Sequence, residues 1–178
     1  MSFIDNIKNS FNILVLNQKA LLKVANERNA TLYGFLTLAL AGFIAALPKL
    51  DITYMLLNAA AMVIVVPILY SIYHFTAKFI FGGKATAAQY FRSLSNSFVL
   101  YWVTFWLVLI PVVGSSLQTL VGLWMIVVNM FILNKVHKLS VIKSIIVGLI
   151  PIILLAILAV ILFGAFLGTI LMSSQIGA

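Results

Sequence analysis

Two histidines and three side-chain carboxylates are the chain's imidazole and carboxylate groups for acid–base or metal chemistry, and there is no cysteine. The histidines are His74 and His137; the acids are Asp5, Glu27 and Asp51. Enzymatic catalysis needs an acid, a base or a nucleophile converging on one point. Hydropathy puts both histidines at one boundary of the apolar layer and Asp51 at the other, so neither histidine can form a dyad with Asp51. Glu27 shares a side with His137 but sits beside Arg28 with no motif around it. No zinc-protease helix, nucleophile elbow, phosphate loop or paired-carboxylate pattern is present. The lack of cysteine removes disulfides, thiolate nucleophiles and palmitoylation together. The expectation is a non-enzyme with no cofactor and no metal.

The elements that carry these residues are apolar to an extreme. Of 178 residues, 64% are hydrophobic and 8% charged, and the mean hydropathy is +1.21. A soluble domain has roughly a quarter charged residues. This chain has too little polar surface to cover itself in water, so lipid is its expected solvent. The reading is an all-α polytopic membrane bundle of about five spans, preceded by an amphipathic cytoplasmic helix.

Residues 1–30 form that first segment. Ile4, Ile7, Phe11, Leu14, Val15 and Leu22 recur at helical spacing, with Lys8, Lys19, Lys23 and Arg28 between them. Such a face buries either in the lipid interface or against the bundle. The short apolar run Ile13 to Leu16 is too brief for a cleavable signal. Residues 31–178 form the membrane domain, with spans near 31–47, 52–75, 98–113, 117–133 and 144–172. Pro48 to Asp51 makes a tight turn, and Pro67 predicts a kink in the second span. The third span ends at Pro111. The last stretch exceeds the ~20 residues a crossing needs, which tilt or a break near Gly148 and Pro151 would absorb.

Loop charge orients the bundle. Lys8, Lys19, Lys23 and Arg28 share a side with Lys78, Lys84 and Arg92, and with Lys135, Lys138 and Lys143; the other side has only Lys49. The positive-inside rule then puts the N-terminus in the cytoplasm and the C-terminus outside, in a cell membrane. The net charge of +8 is read this way and not as a nucleic-acid footprint. Asn29-Ala30-Thr31 matches a glycosylation sequon on the wrong side.

None of the five apolar stretches has Asp, Glu, Lys or Arg in its interior, which argues against ion-coupled transport. Helix packing is better signalled. Gly164 and Gly168 form a GxxxG pair, and Gly42 and Ala46 give a weaker small-xxx-small pair in the first span. Asn58 and Asn129 are placed to hydrogen-bond between helices. The GxxxG contact is expected within the bundle in preference to between copies. Trp102, Trp106 and Trp124 are expected as interfacial anchors.

The second half carries a further pattern. Phe81-Gly82-Gly83-Lys84 follows the second span, Gln89-Tyr90-Phe91-Arg92 enters the third, and Lys135-Val136-His137-Lys138-Leu139-Ser140 precedes the last. This series resembles the Yip1-domain family of five-span membrane proteins. The resemblance implies a cytoplasmic N-terminus and an external or luminal C-terminus, in agreement with the charge argument. Its eukaryotic members are associated with vesicle trafficking and Rab-type GTPases and usually carry a longer cytoplasmic N-terminal region; compact members like this chain occur in archaea and bacteria. The functional expectation is a membrane-organising or protein-scaffolding factor. Its partners would be the bilayer, anionic headgroups, a second copy or another membrane protein. Gly82, Gly83, Lys84, Arg92, Lys135, His137 and Lys138 are the candidate partner or lipid contacts. A carrier for a neutral solute or lipid, and an accessory subunit of a larger complex, are the alternatives.

Overall fold

A computed structural model describes residues 1–104, 106–107, 110 and 113–176. Side chains are described for all of these except 115, 151–152, 155, 158, 162 and 165–176. Among the described residues the protein is helical, with no strand.

Helix α1 (Phe3–Leu14) starts at a capping box in which Ser2 and Asp5 satisfy each other's backbone. That hydrogen bonding from Ser2 also holds the Asp5 carboxyl below its usual range. Leu16, in the left-handed region at φ 59°, turns the chain into α2 (Gln18–Asn26), which Asn17 caps. Helix α3 (Ala30–Ala46) leads through a tight turn at Leu47–Lys49 to α4 (Ile52–Phe75). Asp51 caps α4 by accepting from the Thr53 and Tyr54 amides. Pro67 lies inside α4, and a wider π-helical turn over Thr76–Ile80 ends it. Helix α5 (Ala87–Ser97) begins at a second capping box, Thr86 with Gln89. The short α6 (Leu100–Thr104) precedes α7 (Gly114–Lys135) and α8 (Val141–Ile176).

Among the described residues, three helical stretches are long and apolar enough to cross a membrane: Ala30–Lys49, Ile52–Ile80 and Ser116–Lys135. The first two pair closely along α3 and α4, and α7 pairs with α8. Helix α4 shows why lipid suits it. Leu57, Ile64, Ile68 and Ile72 are all exposed on the isolated chain, an apolar surface that water would not tolerate.

Two expected spans look different. The third does not form one helix from residue 98 among the described residues; α5 ends at Ser97 and α6 is short. The cause is local. Ser93, Ser95, Asn96 and Ser97 all bond back to carbonyls of their own helix, and the Phe98 and Val99 amides close tighter i to i−3 turns. Pro111 lies outside the described residues. The last stretch shows no break: α8 runs unbroken past Gly148 and Pro151 for 36 residues. That is about 54 Å of helix, against a hydrocarbon core of about 30 Å.

Candidate functional site

Polar groups in this fold are gathered around α5. Its sequence carries too few apolar residues to suggest a core helix, yet α1, α2, α3, α4 and α7 all pack on it. Tyr90, Ser93, Leu94, Ser95, Asn96 and Ser97 are buried. A buried amide is stable only when bonded, and Asn96 shows how that is met. Its Nδ2 donates to the Ala30 and Arg92 carbonyls at 2.9 and 2.7 Å, and its Oδ1 accepts from Asn6 Nδ2 at 2.6 Å. The contact ties α1 to α5 and α3. Gly34 permits it: a Cβ there would strike the Ser95 hydroxyl.

Arg92 is committed to the same junction. Its Nε donates to Thr31 Oγ1 at 2.7 Å and its Nη1 to the Ala25 carbonyl at 3.3 Å. The half-buried guanidinium therefore clamps the α2–α3 connection. Two tryptophans expected as anchors also reach backbone. Trp124 Nε1 donates to the Leu14 carbonyl at 3.0 Å, satisfying an orphan acceptor at the end of α1, and Trp102 Nε1 donates to the Thr37 carbonyl at 3.1 Å.

The two histidines meet where α4, α5 and α7 converge. His74, in the last turn of α4, places Nδ1 3.3 Å from Nε2 of His137, in the turn after α7. Sequence reasoning put both at one boundary and missed the pair; they are 63 residues apart with no shared motif. His137 is fully buried, and its Nδ1 has no partner. The tautomer with His137 Nε2 donating to His74 leaves Nδ1 as a bare acceptor. That costs less than burying an unpaired N–H. Tyr90 lies edge-on to the His137 ring at 5.2 Å and donates its hydroxyl to Asn129 Oδ1 at 2.7 Å. Burial, then His74, then Lys78 hold the His137 imidazole down to about 4, so it is neutral at physiological pH.

The glycine pair closes over this ring. Gly82 has φ +72°, the left-handed turn that favours glycine. Gly83 is needed for space, because its Cα backs onto the His137 imidazole. Its amide donates to the Ala77 carbonyl at 2.8 Å, and the Lys84 amide donates to the His137 carbonyl at 2.9 Å. Gly82, Gly83 and Lys84 of one sequence motif and His137 of another thus form one knot. Beside it lies a cavity of about 360 Å³, lined by Lys84, Lys135 and Lys138 together with Asn26 and Gln89.

The helix-packing candidates divide. Asn58 Nδ2 donates to the Gly42 carbonyl, and a Cβ on Gly42 would meet the Asn58 backbone oxygen at 2.6 Å, so these two lie at one α3–α4 contact. Asn129 is the buried acceptor for Tyr90. At Gly164 a Cβ would meet nothing within 4 Å among the described residues, so the expected intramolecular contact is not seen there. Gly168 continues the same helix, and its surroundings lie outside the described residues.

The described residues contain no group of three potential metal ligands. The two histidines are buried with their ring centroids 5.1 Å apart. The chain matches no family model, no curated protein and no solved structure.

Proposed function

We propose that the chain is a five-span, non-enzymatic membrane protein of the Yip1 type that organises membranes or scaffolds partner proteins, with its N-terminus cytoplasmic. The observation that carries this is the separation of chemistry within the fold. Long apolar helices lead into one packed end where α1, α2 and α5 gather the buried amides and Lys84, Lys135 and Lys138. A cap of that kind presents a basic, fixed surface to headgroups or proteins, while the apolar helices hold it in the bilayer.

Geometry supports the third crossing. Ser97 lies in the cap and α7 returns to it at Lys135 after 22 residues, about 33 Å of helix. Gly114 therefore stands about that distance from Lys135. The three basic segments, 8–28, 78–92 and 135–143, also meet at one end: Gln89 bonds Asn26, and Lys84 bonds His137. Among the described residues, the two apolar pockets beside Tyr70 hold about 130 Å³ each.

Purification of the tagged full chain in mild detergent tests the function. A stoichiometric partner or a defined self-assembly is expected. A lone monomer that makes vesicles permeable to a neutral solute would favour the carrier and refute the scaffold. A reporter fused after Ala178 that is active only in the cytoplasm would refute the five-span topology.

A further inference from the structure

We propose that the cavity between α2, the Lys84–Gln89 segment and the end of α7 is a binding site for a phosphate-bearing anion. For its membrane-depth placement this rests on the topology proposed above.

Charge is the first argument. Lys84, Lys135 and Lys138 converge on one cavity of about 360 Å³ from two separate segments of the chain. No carboxylate lines it. The acid nearest in sequence, Glu27, is engaged by the Met1 amino group at 3.5 Å. Among the described residues no ion pair involves any of the three lysines. Three like charges facing one concavity repel, and an anion between them relieves that repulsion. Lys135 also stands in the last turn of α7, where the helix end carries about half a negative charge. That offsets only part of three full positive charges.

The neutral groups at the rim are also oriented as donors. The Thr86 amide donates to Gln89 Oε1 at 3.0 Å in the α5 capping box, which fixes the oxygen towards its own helix start. The Gln89 amide nitrogen therefore faces the other way, donating to Asn26 Oδ1 at 2.9 Å. Asn26 in turn donates to the Leu22 carbonyl at 2.8 Å. Each amide keeps a second N–H for a ligand, and both amide oxygens are occupied. Such a rim suits an acceptor-only group such as phosphate.

The backbone holds the third lysine in place. Lys138 sits at φ 57°, a left-handed conformation unfavourable for a residue with a Cβ. Asn134 Nδ2, donating to the Leu139 carbonyl at 2.7 Å, and the Lys84–His137 backbone bond hold the turn on both sides. Strain retained at a residue lining a charged concavity fits a preorganised site.

The ligand is a phosphate group of a lipid or of a small soluble molecule, and the test separates the two. The full chain is placed in phosphatidylcholine nanodiscs doped with phosphatidic acid, and the bound lipid is quantified. In parallel, glycerol 3-phosphate and inorganic phosphate are titrated onto the chain in neutral detergent. The site variant is K84Q/K135Q/K138Q. The control, K8Q/K19Q/K143Q, removes the same charge from the same predicted side. Enrichment of phosphatidic acid is expected to fall about a hundredfold in the site variant, at roughly fivefold per lysine, and less than about threefold in the control. Enrichment without soluble binding identifies a headgroup. Soluble binding that the site variant alone loses identifies a free phosphate compound. No selective binding in either arm, or equal loss in both triple variants, overturns the site. If the site triple variant fails to fold, the exposed Lys138→Gln alone carries the test, with about a fivefold loss expected and an unchanged affinity refuting it. A phosphate-binding chain that purifies as a lone monomer would sink the scaffold and leave this site standing.

Discussion

Replacing Gly83 with alanine tests whether the knot around His137 is as tight as its geometry requires. A Cβ at Gly83 would lie 2.5 Å from His137 Nδ1, 2.9 Å from the Ala77 carbonyl oxygen and 3.1 Å from His137 Cγ. Neither neighbour moves freely. The Ala77 oxygen is backbone and already accepts the Gly83 amide. The imidazole is held by His74 on one edge, by Tyr90 across its face and by the Lys84 amide on its own carbonyl. Overpacking of this kind costs about 1–3 kcal/mol, and losing the contact between the histidines adds about 1 kcal/mol. The total is about 2–4 kcal/mol, a fall in melting midpoint of roughly 5–12 °C for a chain of this size. Two other glycines calibrate the measurement. Gly82→Ala meets open space but must hold φ +72°, costing about 1–2 kcal/mol. Gly122→Ala meets open space within α7 and gains up to about 1 kcal/mol of helix propensity. The expected order of midpoints in detergent is Gly122→Ala, wild type, Gly82→Ala, then Gly83→Ala. A Gly83→Ala protein that melts within a degree of wild type would refute the close approach.

Acid should loosen the same knot. His137 is held down to about 4 when folded and returns to 6.5 when unfolded, chiefly through burial. The unfolded chain therefore takes up this proton first as pH falls, so stability is present above pH 6.5 and is lost progressively towards about 4. The full difference bounds the effect at about 3 kcal/mol, and screening at a water-facing end reduces it to about 1–2 kcal/mol. Unfolding curves of wild type and His137→Gln that stay parallel between pH 7 and pH 4.5 would refute this. Asn96→Leu strands the buried Asn6 amide and should cost about 1–3 kcal/mol. The double variant Asn6→Leu/Asn96→Leu should recover part of that, and strict additivity of the two changes would show that they do not interact. Gly42→Leu should abolish folded yield, because backbone atoms of Asn58 and Ala59 lie within 3 Å of the new Cβ. Gly164→Leu should fold normally; equal yields from the two would contradict the α3–α4 contact.

Much of the architecture is written locally. Hydropathy located the helices at Ala30–Ala46 and Ile52–Phe75 to within a residue, because an apolar run and its flanking turn act over a few positions. Asp51 marks a helix start for the same reason, as its side chain bonds amides two and three residues on. The left-handed turn at Gly82 is likewise a property of one residue. What local pattern leaves open is which polar side chains meet. Helix α5 is polar in sequence, yet it is central because its amide and hydroxyls find partners on α1, α3 and their own backbone. Arg92 reads as a free cytoplasmic charge, yet it is bound to Thr31 and Ala25. Gly42 and Asn58 were each legible as packing residues, but not as each other's partner. The two histidines that began as isolated candidates for chemistry illustrate the limit. Their residue types were plain, and so was their shared boundary. Their pairing depends on where α4 ends, how α7 packs on α5 and the space left by Gly83, and those are set by contacts between residues far apart in the chain.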